Sequence, residues 1–155
     1  MRIALGADHA GIHLKAEIRK LLEERGIAYT DFGTETTESV DYPDFAERVA
    51  HAVASGQFNF GLLFCGSGIG MAIAANKVAG IRAAPVVDET SARLSREHND
   101  ANVLALGERL TPPDVARRLV NTFLDTPFGG GRHQRRVDKI SALDHAFQKR
   151  EQRHS

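Results

Sequence analysis

Phe60 to Lys77 reads FGLLFCGSGIGMAIAANK: an apolar run of strand length ending in Cys65, then glycines at 66, 68 and 70, then a segment of helical character. A strand that turns through glycines into a helix is one βα unit, and the rest of the chain alternates short β-like runs with longer segments of helical period. That alternation predicts an α/β fold, a parallel sheet covered by helices on both faces. Strands are expected at Arg2 to Ala7, Ile27 to Phe32, Phe60 to Cys65, Ile81 to Val87 and Asn102 to Leu106.

Between the first two strands, Leu14, Ile18, Leu21 and Leu22 keep helical spacing and Gly26 is a stop signal. A second helix is expected from near Asp44 to Gly56, a third after the glycine loop and a fourth over roughly Glu89 to Glu97. A fifth follows TPPD, with Thr111 as N-cap, Pro112 at the first helical position, and Val115, Leu119 and Phe123 on one face. The last helix carries Val137, Ile140, Leu143 and Phe147 on one stripe. No sixth strand follows it, so the stripe packs either on its own sheet or on a neighbouring molecule. The charged tail from about residue 149 is expected to fray. No linker or repeat divides residues 1–155, which predicts a single domain.

With 155 residues and 42% hydrophobic content, the chain can bury a core without disulfides or a structural metal. Its one cysteine has no intrachain partner and fits a reducing compartment. Acidic and basic residues balance at 20 each, and no basic stretch offers a nucleic-acid footprint. The first residues, MRIALGADHAG, lack a signal-peptide core, and nowhere do eighteen apolar residues run together. A soluble cytoplasmic protein with no membrane or nucleic-acid partner is expected.

Ligands of parallel α/β sheets sit beyond the carboxyl ends of the strands. The loop Gly66-Ser67-Gly68-Ile69-Gly70 lies at such an end, and its exposed amides suit an anion, whether a phosphate or an oxyanion formed in a reaction. Gly-x-Gly-x-Gly is near the dinucleotide fingerprint, with Asp88 about twenty residues on, but the spacing differs and the loop opens the third βα unit rather than the first. Cys65 is either a small buried hydrophobe or, beside a helix N-terminus, a thiol partly ionised and usable as a base. Ser67 offers a hydroxyl for proton relay or for turn chemistry alone.

Three other polar clusters stand out. Asp8 and His9 end the first strand and should face the same crevice, although Asp8 also suits a cap on the next helix. His98 and Asn99 lie between the fourth helix and the fifth strand, hence at the amino end of the sheet, out of reach of Cys65 in the same chain. Arg132 and Arg136, four apart after three glycines, form a solvated face or a phosphate clamp. They too belong away from the crevice, so clamp and thiol either serve different ends of the molecule or are joined by a second subunit.

Taken together, DHAG, DYP, CGSGIGMAIAANK, GIRA, HNDANVLALG and GGGRHQRRV resemble the type B ribose-5-phosphate isomerase family, which includes the allose- and galactose-6-phosphate isomerases. The resemblance covers nearly the whole chain. It implies a Rossmann-like three-layer α/β/α sandwich with a five-stranded parallel sheet and an extra C-terminal helix. It also implies a homodimer or tetramer with each active site built from two subunits, a sugar-phosphate substrate, and no metal or organic cofactor. By the same likeness Cys65 is the base, the second subunit's copy of His98 opens the sugar ring, and Ser67 assists. Asp8, His9, Gly66, Ser67, Gly68, Ile69, Gly70, Asn99, Arg109, Arg132 and Arg136 are then the substrate contacts. Some relatives use a glutamate in the loop helix instead of the cysteine; here Ala74 and Ala75 offer no carboxylate, which indicates the thiol version. Ribose 5-phosphate is the expected substrate, with a six-carbon sugar phosphate as the alternative and a nucleotide-binding or sensor module as the competing class.

Overall fold

The computed structural model describes residues 1–154, apart from the side chains of residues 147–151. Strands β1 (Arg2–Ala7), β2 (Ala28–Asp31), β3 (Phe60–Cys65), β4 (Ala83–Pro85) and β5 (Val103–Gly107) form one sheet in the order β2-β1-β3-β5-β4. Every pairing is parallel. Helices α1 (Ile12–Glu24), α2 (Tyr42–Ala54), α3 (Ile69–Ala75), α4 (Glu89–Glu97) and α5 (Pro113–Asp125) connect the strands, and α6 (Arg132–His154) follows.

Alternation along the strands decides which helix meets which face. Leu62 and Phe64 of β3 join Ile3, Leu5, Leu104 and Leu106 in a core closed by α1, α4 and α5, with Ile18, Leu22, Leu119 and Phe123 fully buried. Leu63 and Cys65 point the other way, into a second core with Phe45, Val49 and Val53 of α2 and Met71 and Ala75 of α3. On that face α2 lies so close that a Cβ on Gly6 or Gly61 would come within 2.7 Å of Val49. The result is the three-layer α/β/α arrangement.

Several local expectations need correction. The second helix starts at Tyr42 rather than near Asp44, because Pro43 fits the first turn, where its missing N–H costs nothing. The fourth strand is shorter than Ile81 to Val87: it is an edge strand, and the Arg82 N–H bonds the Asn102 side chain at 2.8 Å instead of a ladder partner. Thr111 does not cap α5. Pro112 takes the cap position, while the Thr111 N–H bonds Gly107 O at 2.9 Å and its buried hydroxyl has no partner among the described residues. Of the apolar stripe on α6 only Val137 is buried; Ile140 and Leu143 are 44% and 68% exposed, and the side chain of Phe147 lies outside the described residues. The tail expected to fray from about residue 149 falls largely on these undescribed side chains, and Ser155 also lies outside the described residues.

Asp88 separates the dinucleotide reading from local structure. Its side chain accepts from the Ser91 N–H at 2.7 Å, capping α4, and these Ser91 bonds hold the carboxyl below the usual carboxylate range. The acidic residue that the fingerprint would need for a ribose is thus occupied with a helix end. Because its folded pKa is lowered, the stabilisation is present above the unfolded value and is lost as pH falls through the folded one. Asp88→Ala should lower the melting temperature at neutral pH, the gap closing in acid; an equal gap at both would refute the cap assignment.

Candidate active site

The crevice forms where the chain reverses direction across the sheet. From β1 the chain runs outward to β2 and then returns past β1 to β3, so the carboxyl ends of β1 and β3 part their following segments and leave a cleft. Asp8, Ala10, Tyr42, Cys65, Gly66, Ser67, Ile69, Gly70, Ile73 and Arg109 line it, around about 480 Å³.

Much of the cleft floor is backbone brought unusually close. A Cβ on Gly11 would meet the Phe64 carbonyl at 2.3 Å, and one on Gly107 would meet the Ser67 backbone at 2.5 Å. Gly68 has φ +79 and precedes α3, so the loop reverses there as L residues with side chains rarely do. Cys65 is buried, at 4% exposure, yet its Sγ accepts the Gly68 N–H at 3.0 Å. Cys65 therefore packs against the α2–α3 core while its sulfur meets the amide of the loop. Ser67 is exposed, its Oγ accepting from the Ile69 N–H at 3.2 Å. Because α3 has only seven residues, the polarity at its start comes from nearby loop amides more than from a long helix dipole.

Asp8 performs the bland role foreseen for it, accepting from the Ala10 N–H at 2.9 Å to cap a 3-10 turn, His9–Gly11, ahead of α1. It also lines the cleft. The Val40 N–H donates to His9 Nδ1 at 3.2 Å, so neutral His9 carries its proton on Nε2. The segment leading to Val40 and Tyr42 is pinned by Lys15, which is buried and bonds Asp31 at 2.8 Å and the Thr34 carbonyl. Tyr42, undecided from sequence between core and pocket, is 42% exposed and forms the cleft wall over Gly70. Arg109 reaches over Gly66, its guanidinium 3.3 Å from where a Cβ would be.

His98, Arg132 and Arg136 gather round His133 at the opposite end of the sheet, while Asn99, next to His98 in sequence, lines a neighbouring hollow with Arg82, Ile140 and Leu143. His98 caps the carboxyl end of α4 and stacks on His133, ring centroids 4.2 Å apart. His133 is held below the ordinary imidazole range by desolvation first, then by the charges of His98, Arg132 and Arg136. In the sequence it is the histidine that adjoins Arg132. The register pairs Gly61 with Val103 at the amino end and Cys65 with Gly107 at the carboxyl end, so about 13 Å of strand separates the two clusters within one chain.

The arginines fall into ion-paired and unpaired sets. Arg19, Arg25, Arg82, Arg93, Arg96, Arg117 and Arg118 each pair with a carboxylate. Arg109, Arg132 and Arg136 are exposed and have no such pair among the described residues. Arg135 and Arg153 share that property, as do Arg2 and Arg48, which lie over the Phe58 and Phe45 rings.

Residues 3–140 match the family model described as Ribose/Galactose Isomerase. Ribose-5-phosphate isomerase B of Escherichia coli is 49% identical over 92% of this chain and 96% of its own length. Among solved structures, ribose-5-phosphate isomerase B of Clostridium thermocellum superposes with a TM-score of 0.93 at 52% identity, covering 95% of this chain and 99% of that one. The Mycoplasma genitalium enzyme, solved with bound ribulose-5-phosphate, gives 0.90 at 41% identity over 93% and 96%. With its fold and almost its whole length shared with these proteins, the chain belongs to the Ribose/Galactose Isomerase family and is a sugar-phosphate isomerase.

Proposed function

We propose that the protein interconverts ribose 5-phosphate and ribulose 5-phosphate in a site assembled from two subunits: the thiol cleft of one and the histidine–arginine cluster of the other. The observation that carries this reading is the placement of Cys65 Sγ against the Gly68 amide at the cleft floor, beside unpaired Arg109. The named activities of the Escherichia coli and Clostridium thermocellum relatives, and the ketose phosphate in the Mycoplasma genitalium structure, support the substrate. Exposed Ile69, Ile73, Leu110, Ile140 and Leu143 give a second subunit apolar surface to cover.

In this mechanism the phosphate dianion is met by guanidinium groups and by the Nε2–H of His9. His98 of the second subunit gives a proton to the ring oxygen as the sugar's C1 hydroxyl loses its own, releasing the open-chain aldehyde. Cys65 thiolate then removes the C2 proton; the C–H electron pair becomes the C1–C2 double bond and the carbonyl pair moves onto O1. The resulting ene-diolate oxygen faces the loop amides, where a donor correctly placed is worth a hundredfold or more in rate. Ser67 passes the proton of O2 to O1, and the thiol returns its proton to C1, leaving the ketone at C2. Ribulose 5-phosphate has its fifth oxygen esterified and cannot close the corresponding ring, so only the aldose direction requires ring opening.

A coupled assay with ribose 5-phosphate, allose 6-phosphate and galactose 6-phosphate tests the substrate. The expected result is turnover of the pentose phosphate with kcat/KM at least about tenfold above either hexose phosphate, the discrimination that one misfitted carbon allows. A preference for a hexose phosphate would replace the reading with its six-carbon alternative.

A further inference from the structure

Arg96 sits two residues before His98, and no step of the chemistry above uses it. It is buried, at 7% exposure, with its guanidinium over the rings of Phe60 and Phe123 at 4.7 and 5.8 Å. Such a charge is retained in a protein interior only where its donors are met. Here they are met by two separate loops. Nη1 donates to Asp100 Oδ1 at 2.9 Å and to Ala101 O at 2.6 Å, while Nε donates to Thr126 O at 3.3 Å.

The first two bonds close the loop that carries His98 and Asn99. Asp100 has φ +47, a left-handed backbone that a residue other than glycine adopts at a cost unless its surroundings hold it there. Arg82 holds it from the other side, with Nε donating to the Asp100 carbonyl at 2.9 Å and Nη2 lying 3.5 Å from its carboxylate. The third bond fixes the end of α5, where the chain leaves for Gly129–Gly131 and Arg132. That segment is in turn tied back by Gly129 N–H to Glu97 O at 2.9 Å and by the His133–His98 stack.

We propose that Arg96 is the positioning residue of the histidine–arginine cluster, fixing His98, Asn99 and the arginine-bearing segment relative to one another so that they arrive together at the cleft of the second subunit. This rests on the two-subunit reading, and it adds a prediction that a simple packing role does not make. Displacing an acid by about an ångström impairs proton transfer strongly, on the order of a hundredfold in severe cases, without touching the step at Cys65.

The test is the initial rate in both directions with the full-length Arg96→Met protein, whose side chain keeps an apolar stem beside the rings and loses the donors. At saturation, kcat from ribose 5-phosphate should fall at least about tenfold and kcat from ribulose 5-phosphate less than about threefold, with KM raised for both as Arg132 and Arg136 shift. Losses equal in the two directions, as a reduced folded fraction would give, overturn the proposal, as does no loss. Asp100→Asn keeps a side chain that tolerates the left-handed backbone while removing the carboxylate charge; it should show the same directional bias, and it decides the matter if Arg96→Met does not fold. His98→Ala serves as reference. Directional loss there without directional loss in either loop variant refutes the Arg96 assignment alone, whereas its absence in His98→Ala refutes the ring-opening role beneath it.

Discussion

Cys65→Ala is expected to abolish turnover in both directions, with kcat reduced about a thousandfold or more, while calorimetry still detects sugar-phosphate binding. The C–H bond next to the carbonyl must be broken whichever sugar is supplied, and among the cleft residues Cys65 is the one placed on the loop floor with its sulfur already accepting an amide N–H. Since Cys65 also belongs to the α2–α3 core, loss of activity in the alanine variant has a competing explanation in packing. Cys65→Ser separates the two. The hydroxyl keeps nearly the same volume but is far too weak an acid to act as an anionic base, so the serine protein should fold with a near-native melting temperature and be as inactive as the alanine protein. Activity within tenfold of the parent in either variant would remove the base assignment.

For His98→Ala the expected loss is one-sided. Conversion of ribose 5-phosphate should fall by about 10²–10⁴, the range over which a general acid contributes, whereas ribulose 5-phosphate, already acyclic, should still be consumed. The same variant also tests how the site is built. In an equal mixture of Cys65→Ala and His98→Ala proteins allowed to exchange subunits, half of the pairs are mixed. Each mixed pair has one site with both defects and one with neither, so about a quarter of the parent activity from ribose 5-phosphate should return. Failure to recover activity after exchange has been verified by mass would show that thiol and imidazole do not meet across an interface.

The layer structure was legible from the chain because strand-like runs alternate with segments of helical period, which calls for a parallel sheet covered on both faces. Leu62 and Phe64 went to one core and Leu63 and Cys65 to the other, as period two requires. The division of the polar residues into two ends was legible as well, since in a parallel sheet a loop's direction of travel fixes its end. Less accessible were features decided by backbone geometry. Thr111 has the chemistry of a cap, but the turn at Gly107 rotates it inward and leaves Pro112 at the boundary. Tyr42 could not be placed because its position depends on how closely α2 approaches Gly70. The stack of His133 on His98 joins the start of α6 to the end of α4, a long-range contact that spacing in the sequence does not announce.

The close approach of main chain to main chain beneath the cleft has a bearing on how such a protein diversifies. At Gly11 and Gly107 any larger residue collides with peptide groups, so drift has little there to work with. Variation is left to the rim, where Tyr42, Ile73 and Arg109 present side chains with room to change. A gene copy can therefore come to accept a longer or shorter sugar phosphate through a few rim replacements while inheriting the packed backbone beneath intact.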